Sequence, residues 1–172
     1  MRTKGLKKIV VFMATALLAA GVSFSLGVAD AQASVASTPG QHNRYKFELE
    51  PNIFYLHGNW YETGGFGLRA SIPFMHNGPI KTINNNMAIN FGAQMAFFDG
   101  TFDVSLPVAA QWNFYVHEII SVGPELGMEF TIGNVFRVHP VFNAIGRFQF
   151  SRFGLLVRMG YPELTVGANI QF

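Results

Sequence analysis

The feature that most constrains the fold is a strict alternation of apolar and polar residues that recurs along the chain. The clearest stretch runs from Phe102 to Phe114, where large apolar side chains alternate with polar or small ones. Successive side chains of a β-strand point to opposite faces, so this period of two predicts a strand with one apolar face. Seven further stretches between Tyr45 and Phe172 repeat the pattern without a helical interruption. The sequence therefore predicts an all-β fold of eight strands.

The first residues are typical of a secretory signal peptide. Four basic residues precede an uncharged run over residues 9–29, and small residues follow at Ala29, Ala31 and Ala33. This basic start, apolar stretch and A-x-A site predict cleavage after Ala33. A retained transmembrane anchor is the alternative, because the uncharged run is long enough to span a bilayer. The chain contains no cysteine, which excludes a disulfide framework.

Removal of this segment changes the charge of the chain. The full sequence carries 12 Lys and Arg against 10 Asp and Glu, a formal net charge of +2. Cleavage takes away four basic residues and Asp30, and the remainder is close to neutral. The basic balance therefore belongs to the targeting segment and predicts no nucleic-acid partner. Charged residues make up only 13% of the chain, against about 25% in a soluble domain, which suits a protein whose surface faces lipid.

The two faces of the strands indicate which one contacts lipid. The polar face carries many glycines, and glycine suits a narrow barrel interior better than a water-exposed surface. Aromatic residues recur near both ends of the apolar face, as expected at two lipid–water interfaces. A soluble ligand carrier such as a lipocalin would show the same alternation with the apolar face inside. Because backbone groups in lipid must pair internally, a lipid-exposed sheet has to close into a barrel.

Prolines inside the predicted strands are the weakest part of this assignment. Each one removes a hydrogen-bond donor from the ladder, so each is expected at a bulge or at the rim of the sheet. They are Pro51, Pro73, Pro107, Pro124 and Pro140.

The last stretch alternates from Leu164 and ends on Phe172. A final alternating strand that ends in Phe resembles the terminal signature of bacterial outer-membrane β-barrels, which their assembly machinery recognises. Ile170 and Phe172 are the residues to which this resemblance assigns the assembly signal. Together with the strand pattern and the signal peptide, the chain resembles the OmpA-type or OmpX-type barrel over nearly all of its mature length.

This resemblance implies an eight-stranded antiparallel up-and-down transmembrane β-barrel in the outer membrane of a Gram-negative bacterium, with both termini in the periplasm. The expected partners are outer-membrane lipid and lipopolysaccharide, the barrel-assembly machinery during biogenesis, and an envelope protein. The expected organisation is a cleaved signal peptide over residues 1–33, a flexible periplasmic leader over residues 34–43, and the barrel over residues 44–172.

Charged residues on the polar face are predicted to form a network in the barrel interior. Unpaired charges in a confined space cost several kcal/mol, so they should be bridged across strands or through water. Counting back from the turns predicts that Glu50 lies near Arg69 and that Glu129 lies near Arg137. The predicted network balances five charges of each sign, with a histidine as a further donor: Lys46, Arg69, Arg137, Arg147, Arg158, Glu48, Glu50, Asp103, Glu125, Glu129 and His139.

The network favours a closed interior that stabilises the barrel, because eight strands enclose about enough space for side chains alone. A narrow ion or solute channel is the alternative. A lipid-modifying enzyme is less favoured, since the predicted outward positions contain no Ser or His to serve as nucleophile and base. The adjacent His117 and Glu118, next to Ser121, are better explained as a turn. We predict no catalytic residue, metal site or cofactor, and a structural, anchoring or binding role.

One predicted outer loop carries Trp60 and Tyr61. Exposed aromatic side chains on a loop can anchor recognition of a partner, so these two residues are candidates for contact outside the cell. The alternative places both rings in the outer aromatic girdle.

Overall fold

The computed structural model describes residues 36–56, 63–98, 101–133 and 135–172. Eight strands follow one another, and each pairs antiparallel with the next. The last strand pairs with the first, which closes the barrel and confirms the predicted fold class. The strands are β1 (Glu48–Leu56), β2 (Thr63–Met75), β3 (Asn85–Phe98), β4 (Thr101–His117), β5 (Ile120–Ile132), β6 (Arg137–Phe150), β7 (Phe153–Tyr161) and β8 (Glu163–Gln171).

The predicted signal peptide over residues 1–33 lies outside the described ranges, and so do the predicted loop residues Trp60 and Tyr61. No helix in the described part of the chain is both long and apolar enough to cross a bilayer.

The two ends of the barrel can be distinguished by the positions of the first and last strands. Strand β1 begins and strand β8 ends at the same end of the barrel, since the two strands pair antiparallel. We call this the terminal end, and we call the opposite end the loop end.

Burial follows the alternation that the sequence shows. In β4, Ser105 and Gln111 are buried, whereas Leu106 and Val108 are exposed. Most polar residues of the strands therefore face the barrel interior, and most large apolar residues form the outer surface, with Val141, Ile145 and Leu156 as inward exceptions. This arrangement is the reverse of a soluble domain, where burial of apolar surface stabilises the fold.

The strand prolines lie where the backbone ladder does not need their missing donor. Pro51, Pro107 and Pro124 each lie in a short gap in the pairing with one neighbouring strand, across which the register does not shift. Pro73 adjoins the bulge in β2. Pro140 precedes Phe142, the first residue of β6 that pairs with β7. Only Pro73 thus lies at a bulge, whereas the other four have no strand partner on one side, where their missing donor leaves no ladder hydrogen bond unmade.

Glycines leave room for large side chains in the interior. Gly92 pairs with Arg69 in the β2–β3 register. A Cβ atom on Gly92 would collide with the backbone of Leu68 and with the Cα and Cγ atoms of Arg69. Gly146 differs, because a Cβ atom there would meet nothing within 4 Å.

These two glycines give a matched pair of substitutions. We expect Gly92→Val to lower the free energy of unfolding by about 3 kcal/mol or to prevent folding, because the backbone cannot move away from the new side chain. Gly146→Val should change it by less than about 1 kcal/mol. Urea unfolding of the refolded chain, followed by tryptophan fluorescence, measures both. Equal effects at the two positions would contradict the described packing.

Candidate functional site

The barrel interior holds a continuous series of ion pairs in which negative and positive side chains alternate. All of its members are at most 3% exposed. The series begins with a glutamate at the terminal end of β1 and finishes with a glutamate at the loop end of β8. We call it the ion-pair chain, and its members in order are Glu48, Arg147, Glu50, Arg158, Glu125, Arg69 and Glu163.

Each arginine in the chain bridges two carboxylates. Arg147 contacts Glu48 at 3.0 Å and also contacts Glu50. Arg158 contacts Glu125 through its Nε at 3.1 Å and contacts Glu50 through Nη2. A guanidinium carries donors in a planar fork, so one side chain can satisfy two acceptors in different directions.

Arg69 forms the last link of the ion-pair chain. Its Nη1 lies 3.3 Å from Glu125, and its Nη2 contacts Glu163. Gln94 reinforces this link, because its Oε1 accepts from Arg69 at 3.1 Å and its Nε2 donates to Glu163 at 2.9 Å. The amide thereby satisfies groups on both members of the pair.

Other buried amides complete the hydrogen bonding of the carboxylates. Asn143 donates to Glu125 at 2.9 Å, and Asn90 donates to Glu50 at 3.2 Å. At the terminal end, Gln171 donates to Glu48 at 2.8 Å. A buried charge is tolerated when it is both paired and hydrogen-bonded, and these contacts supply the second requirement.

The structure differs from the predicted network at its edges. Lys46 is exposed and precedes β1, so it lies outside the interior. Asp103, Arg137 and His139 are half-buried near the loop end and do not join the ion-pair chain. Glu163, which precedes the alternation predicted from Leu164, is fully buried and is the final member of the ion-pair chain. The available signal was that Glu163 lies an even number of residues before the inward residues of β8, since that strand begins one residue earlier than predicted.

The two predicted neighbour pairs have different outcomes. Glu50 and Arg69 are register partners in β1 and β2, but their ion pairs go to other residues across the interior. Glu129 is the register partner of His139, and Arg137 pairs with Thr131 instead. Cross-strand counting therefore found the strand partner of Glu50 but missed that of Glu129 by two residues, and the ion pairs of Glu50 and Arg69 extend beyond strand neighbours.

Glu129 is a buried carboxylate outside the ion-pair chain. Within the described ranges it forms no ion pair, and its Oε2 has no hydrogen-bond partner. Its Oε1 accepts from Thr131 at 3.4 Å. Among the residues that the structure describes, the fully buried interior thus contains five glutamates and three arginines, in place of the predicted balance of five against five.

Residues 36–47, which we call the N-terminal segment, cover the terminal end. His42 is buried and stacks on Tyr115, with ring centroids 4.1 Å apart. Its Nδ1 donates to Oδ1 of Asn84 at 2.6 Å, and the backbone amide of Asn84 donates to the carbonyl of Ala36 at 2.8 Å. From residue 36 onward, the predicted leader over residues 34–43 therefore makes specific contacts at the terminal end.

Tyr45 in the same segment was predicted on the outer apolar face, but it is buried. The reason is that β1 begins only at Glu48, so the alternation of the strand does not extend back to this residue. At the loop end, Phe54, Leu56 and Ala96 form a buried apolar cluster. Aromatic or apolar side chains therefore lie at both ends of the polar interior.

The residues that briefly suggested catalysis do not converge on one site. His117 accepts the amide hydrogen of Ile119 through its Nδ1 at 3.3 Å, Glu118 is exposed, and Ser121 is buried. The described residues include no group of three or more His, Cys, Asp or Glu side chains arranged to hold a metal ion. Ile170 lies in β8, and Phe172 comes directly after that strand on the outer surface.

Comparison with solved structures shows a likeness in fold. No family model matches the sequence, and no curated protein matches it. The structure is similar to that of the Yersinia pestis outer membrane protein Ail, determined in a phospholipid bilayer nanodisc. The two chains are 14% identical with a TM-score of 0.47, and the match covers 73% of this chain and 99% of the other.

The ion-pair chain predicts unequal effects of two identical substitutions. We expect Glu50→Gln to lower the free energy of unfolding by about 3 kcal/mol or more, because it leaves Arg147 and Arg158 with less compensation in a buried site. Glu129→Gln makes the same chemical change at equal burial but breaks no ion pair, so it should be neutral or stabilising. Urea unfolding of both variants checks this. Equal losses would show that pairing does not distinguish the two sites.

The contacts of His42 predict that docking of the N-terminal segment depends on pH. Burial lowers the pKa of His42 below its ordinary value of 6.5. The hydrogen bond with Asn84 raises this pKa, whereas the positive charges of Arg44 and His76 lower it further. Its Nε2 is buried without a partner, so a proton there would find no acceptor. The unfolded segment therefore binds the proton more tightly. The stabilisation is complete above pH 6.5 and is lost as the pH falls below it.

Protection factors for amide hydrogen exchange over residues 36–47 measure this effect, because they correct for intrinsic exchange rates. We expect them to fall on acidification in the native chain and in His76→Asn. In His42→Gln they should be lower and nearly independent of pH. A pH dependence that survives in His42→Gln would assign the effect to another group.

Proposed function

We propose that this chain is an integral outer-membrane β-barrel with a closed interior, which serves as a structural, anchoring or binding protein of the cell envelope. The outer surface supports the membrane location. Large apolar side chains are exposed on all eight strands or at their ends, among them Ile53, Phe66, Ile89, Val108, Leu126, Phe142, Leu155 and Phe172. Water would oppose so large an apolar surface, whereas hydrocarbon would accept it.

The interior ion-pair chain is the observation that best supports a closed interior. Seven long side chains contact one another from one end of the barrel to the other, and buried amides fill the space between them. An eight-stranded barrel has little room beyond such side chains. Tyr45 and His42 cover the terminal end, and the cluster of Phe54, Leu56 and Ala96 lies at the loop end.

A signal peptide over residues 1–33 supports export, and the alternating final strand with Phe172 supports insertion by the barrel-assembly machinery. The first strand begins and the last strand ends at the terminal end. Because both termini are expected in the periplasm, this end would face the periplasm. Contact with outer-membrane lipid and lipopolysaccharide follows from the apolar surface. An envelope protein bound at the loops or the rims is the partner that an anchoring role requires, and Trp60 and Tyr61 remain its candidate contacts.

A narrow channel is the second candidate, and one observation favours it. The buried glutamates outnumber the buried arginines in the described ranges, and Glu129 lies near the loop end with an unpartnered oxygen. A carboxylate of this kind can line a path for cations. The ion-pair chain opposes conduction, because an ion would have to break several contacts in succession. A lipid-modifying enzyme remains the third candidate.

The lipid-facing surface is tested at Leu126, which is 55% exposed in the middle of β5. In lipid vesicles, Leu126→Arg should lower the free energy of unfolding by about 2–4 kcal/mol, because the charge enters the bilayer midplane. Leu126→Ala is the control that shortens the same side chain without a charge. A neutral effect of Leu126→Arg in vesicles would contradict the membrane location.

Conductance across a planar bilayer tests closure. The refolded chain beginning at Ser34 should insert without discrete current steps, since the ion-pair chain occupies the interior. Insertion is verified separately by heat-modifiable migration of the unboiled protein. Reproducible steps that change size in Glu129→Gln would instead establish the channel and identify the residue that lines it.

A further inference from the structure

Exposed basic side chains lie at one end of the barrel. Within the described ranges, every exposed Lys or Arg belongs to the N-terminal segment or to a turn at the terminal end. Glu118 is the one exposed Asp or Glu side chain that the described chain places there. We call these four cations the basic rim: Arg44, Lys46, Lys81 and Arg152.

The basic rim differs from the interior in how its charges are compensated. Each buried arginine of the ion-pair chain contacts two carboxylates. By contrast, no member of the basic rim forms an ion pair with any described residue. A chain with so few charges thus leaves four cations around the terminal end without an Asp or Glu partner in the described ranges. Their positive charge is available to an anion from outside the chain.

Backbone hydrogen bonds fix two members of the rim beside the lipid-facing surface. The amide of Lys46 donates to the carbonyl of Phe172 at 2.8 Å, and the amide of Gln171 donates to the carbonyl of Arg152 at 2.8 Å. The rings of Phe153 and Phe172 are 64% and 63% exposed at the same edge. Aromatic rings of this kind mark the lipid–water interface, so cations just beyond them lie at the height of phosphate groups.

We propose that the basic rim binds anionic phospholipid headgroups, of the phosphatidylglycerol class, in the leaflet at the terminal end. This inference rests on the proposed membrane location and adds a selectivity for lipid charge. Basic side chains next to a bilayer attract anionic headgroups through their phosphates, and a zwitterionic headgroup offers no net charge in return. The loop end shows no such rim in the described ranges, since its charges there are the half-buried Asp103 and Arg137, of opposite sign.

Trp112 provides a local probe of the lipids beside Arg44 and Lys81, because it bonds Asn85 after the turn that carries Lys81, and His42 stacks on Tyr115 of the same strand. Trp112 is half-buried on the outer face of β4 near the terminal end, and its Nε1 donates to Asn85 at 3.0 Å. The chain has only two tryptophans, so Trp60→Phe leaves Trp112 as the sole emitter. We would refold this variant in vesicles of phosphatidylcholine with a minor fraction of phosphatidylglycerol, and brominate the acyl chains of one lipid at a time.

The quenching of Trp112 by brominated phosphatidylglycerol should correspond to a local enrichment of this lipid of about two- to fivefold over its share of the vesicle. Replacing all four rim residues by Gln in the same background should remove the enrichment. Exchanging the basic types, as Arg44→Lys, Lys46→Arg, Lys81→Arg and Arg152→Lys, keeps the charge and should retain it. High salt should weaken the enrichment in the unmodified rim, because surface charges are screened.

The outcomes separate this inference from the one on which it depends. Quenching by the two lipids in proportion to their abundance would overturn lipid selectivity and leave membrane insertion standing. An enrichment that persists in the four-fold Gln variant would also overturn it, since the rim would not be its cause. Failure of both brominated lipids to quench Trp112 would refute the membrane location itself.

Discussion

Arg158 connects three parts of the barrel wall that are far apart in sequence. From β7 it reaches Glu50 on β1 and Glu125 on β5, and all three side chains are fully buried. The closed barrel leaves these charges no route to water, so each must be satisfied by another side chain. Breaking such a contact is costly mainly because it strands a charge in a medium of low polarity. The interior therefore depends on this interaction more than on apolar packing.

The same constraint explains the composition of the interior. Amide side chains surround the ion pairs because they can donate to carboxylates and accept from guanidinium groups at once, as Gln94 does. Glycines such as Gly92 stand where a long side chain passes close to the barrel wall. Most large apolar residues, which fill the core of a soluble domain, are instead placed on the outside. The exceptions lie near the ends of the barrel and at Val141, Ile145 and Leu156 in the middle of β6 and β7, where the side chains turn inward.

The period-two alternation was sufficient to predict the fold class, because the two faces of each strand meet different environments. The strand prolines were compatible with it, since each lies at an irregularity of the pairing. The alternation also predicted which face is buried for Glu48, Glu50 and Arg69. It could not predict which charges pair, because that depends on side chains that cross the interior between strands that are not neighbours. It failed for Lys46 and Tyr45, which precede the first strand and obey no strand period.

The ion-pair chain also bears on how the barrel closes. Glu48 and Glu50 belong to the first strand, whereas Arg147 and Arg158 belong to the sixth and seventh. These contacts cannot form within any single hairpin, so they are absent until the ends of the sheet meet. A slip of one residue between β1 and β8 would turn both glutamates toward the apolar outer surface. Completion of the ion-pair chain would then favour only the closed barrel in which the first and last strands pair in the correct register.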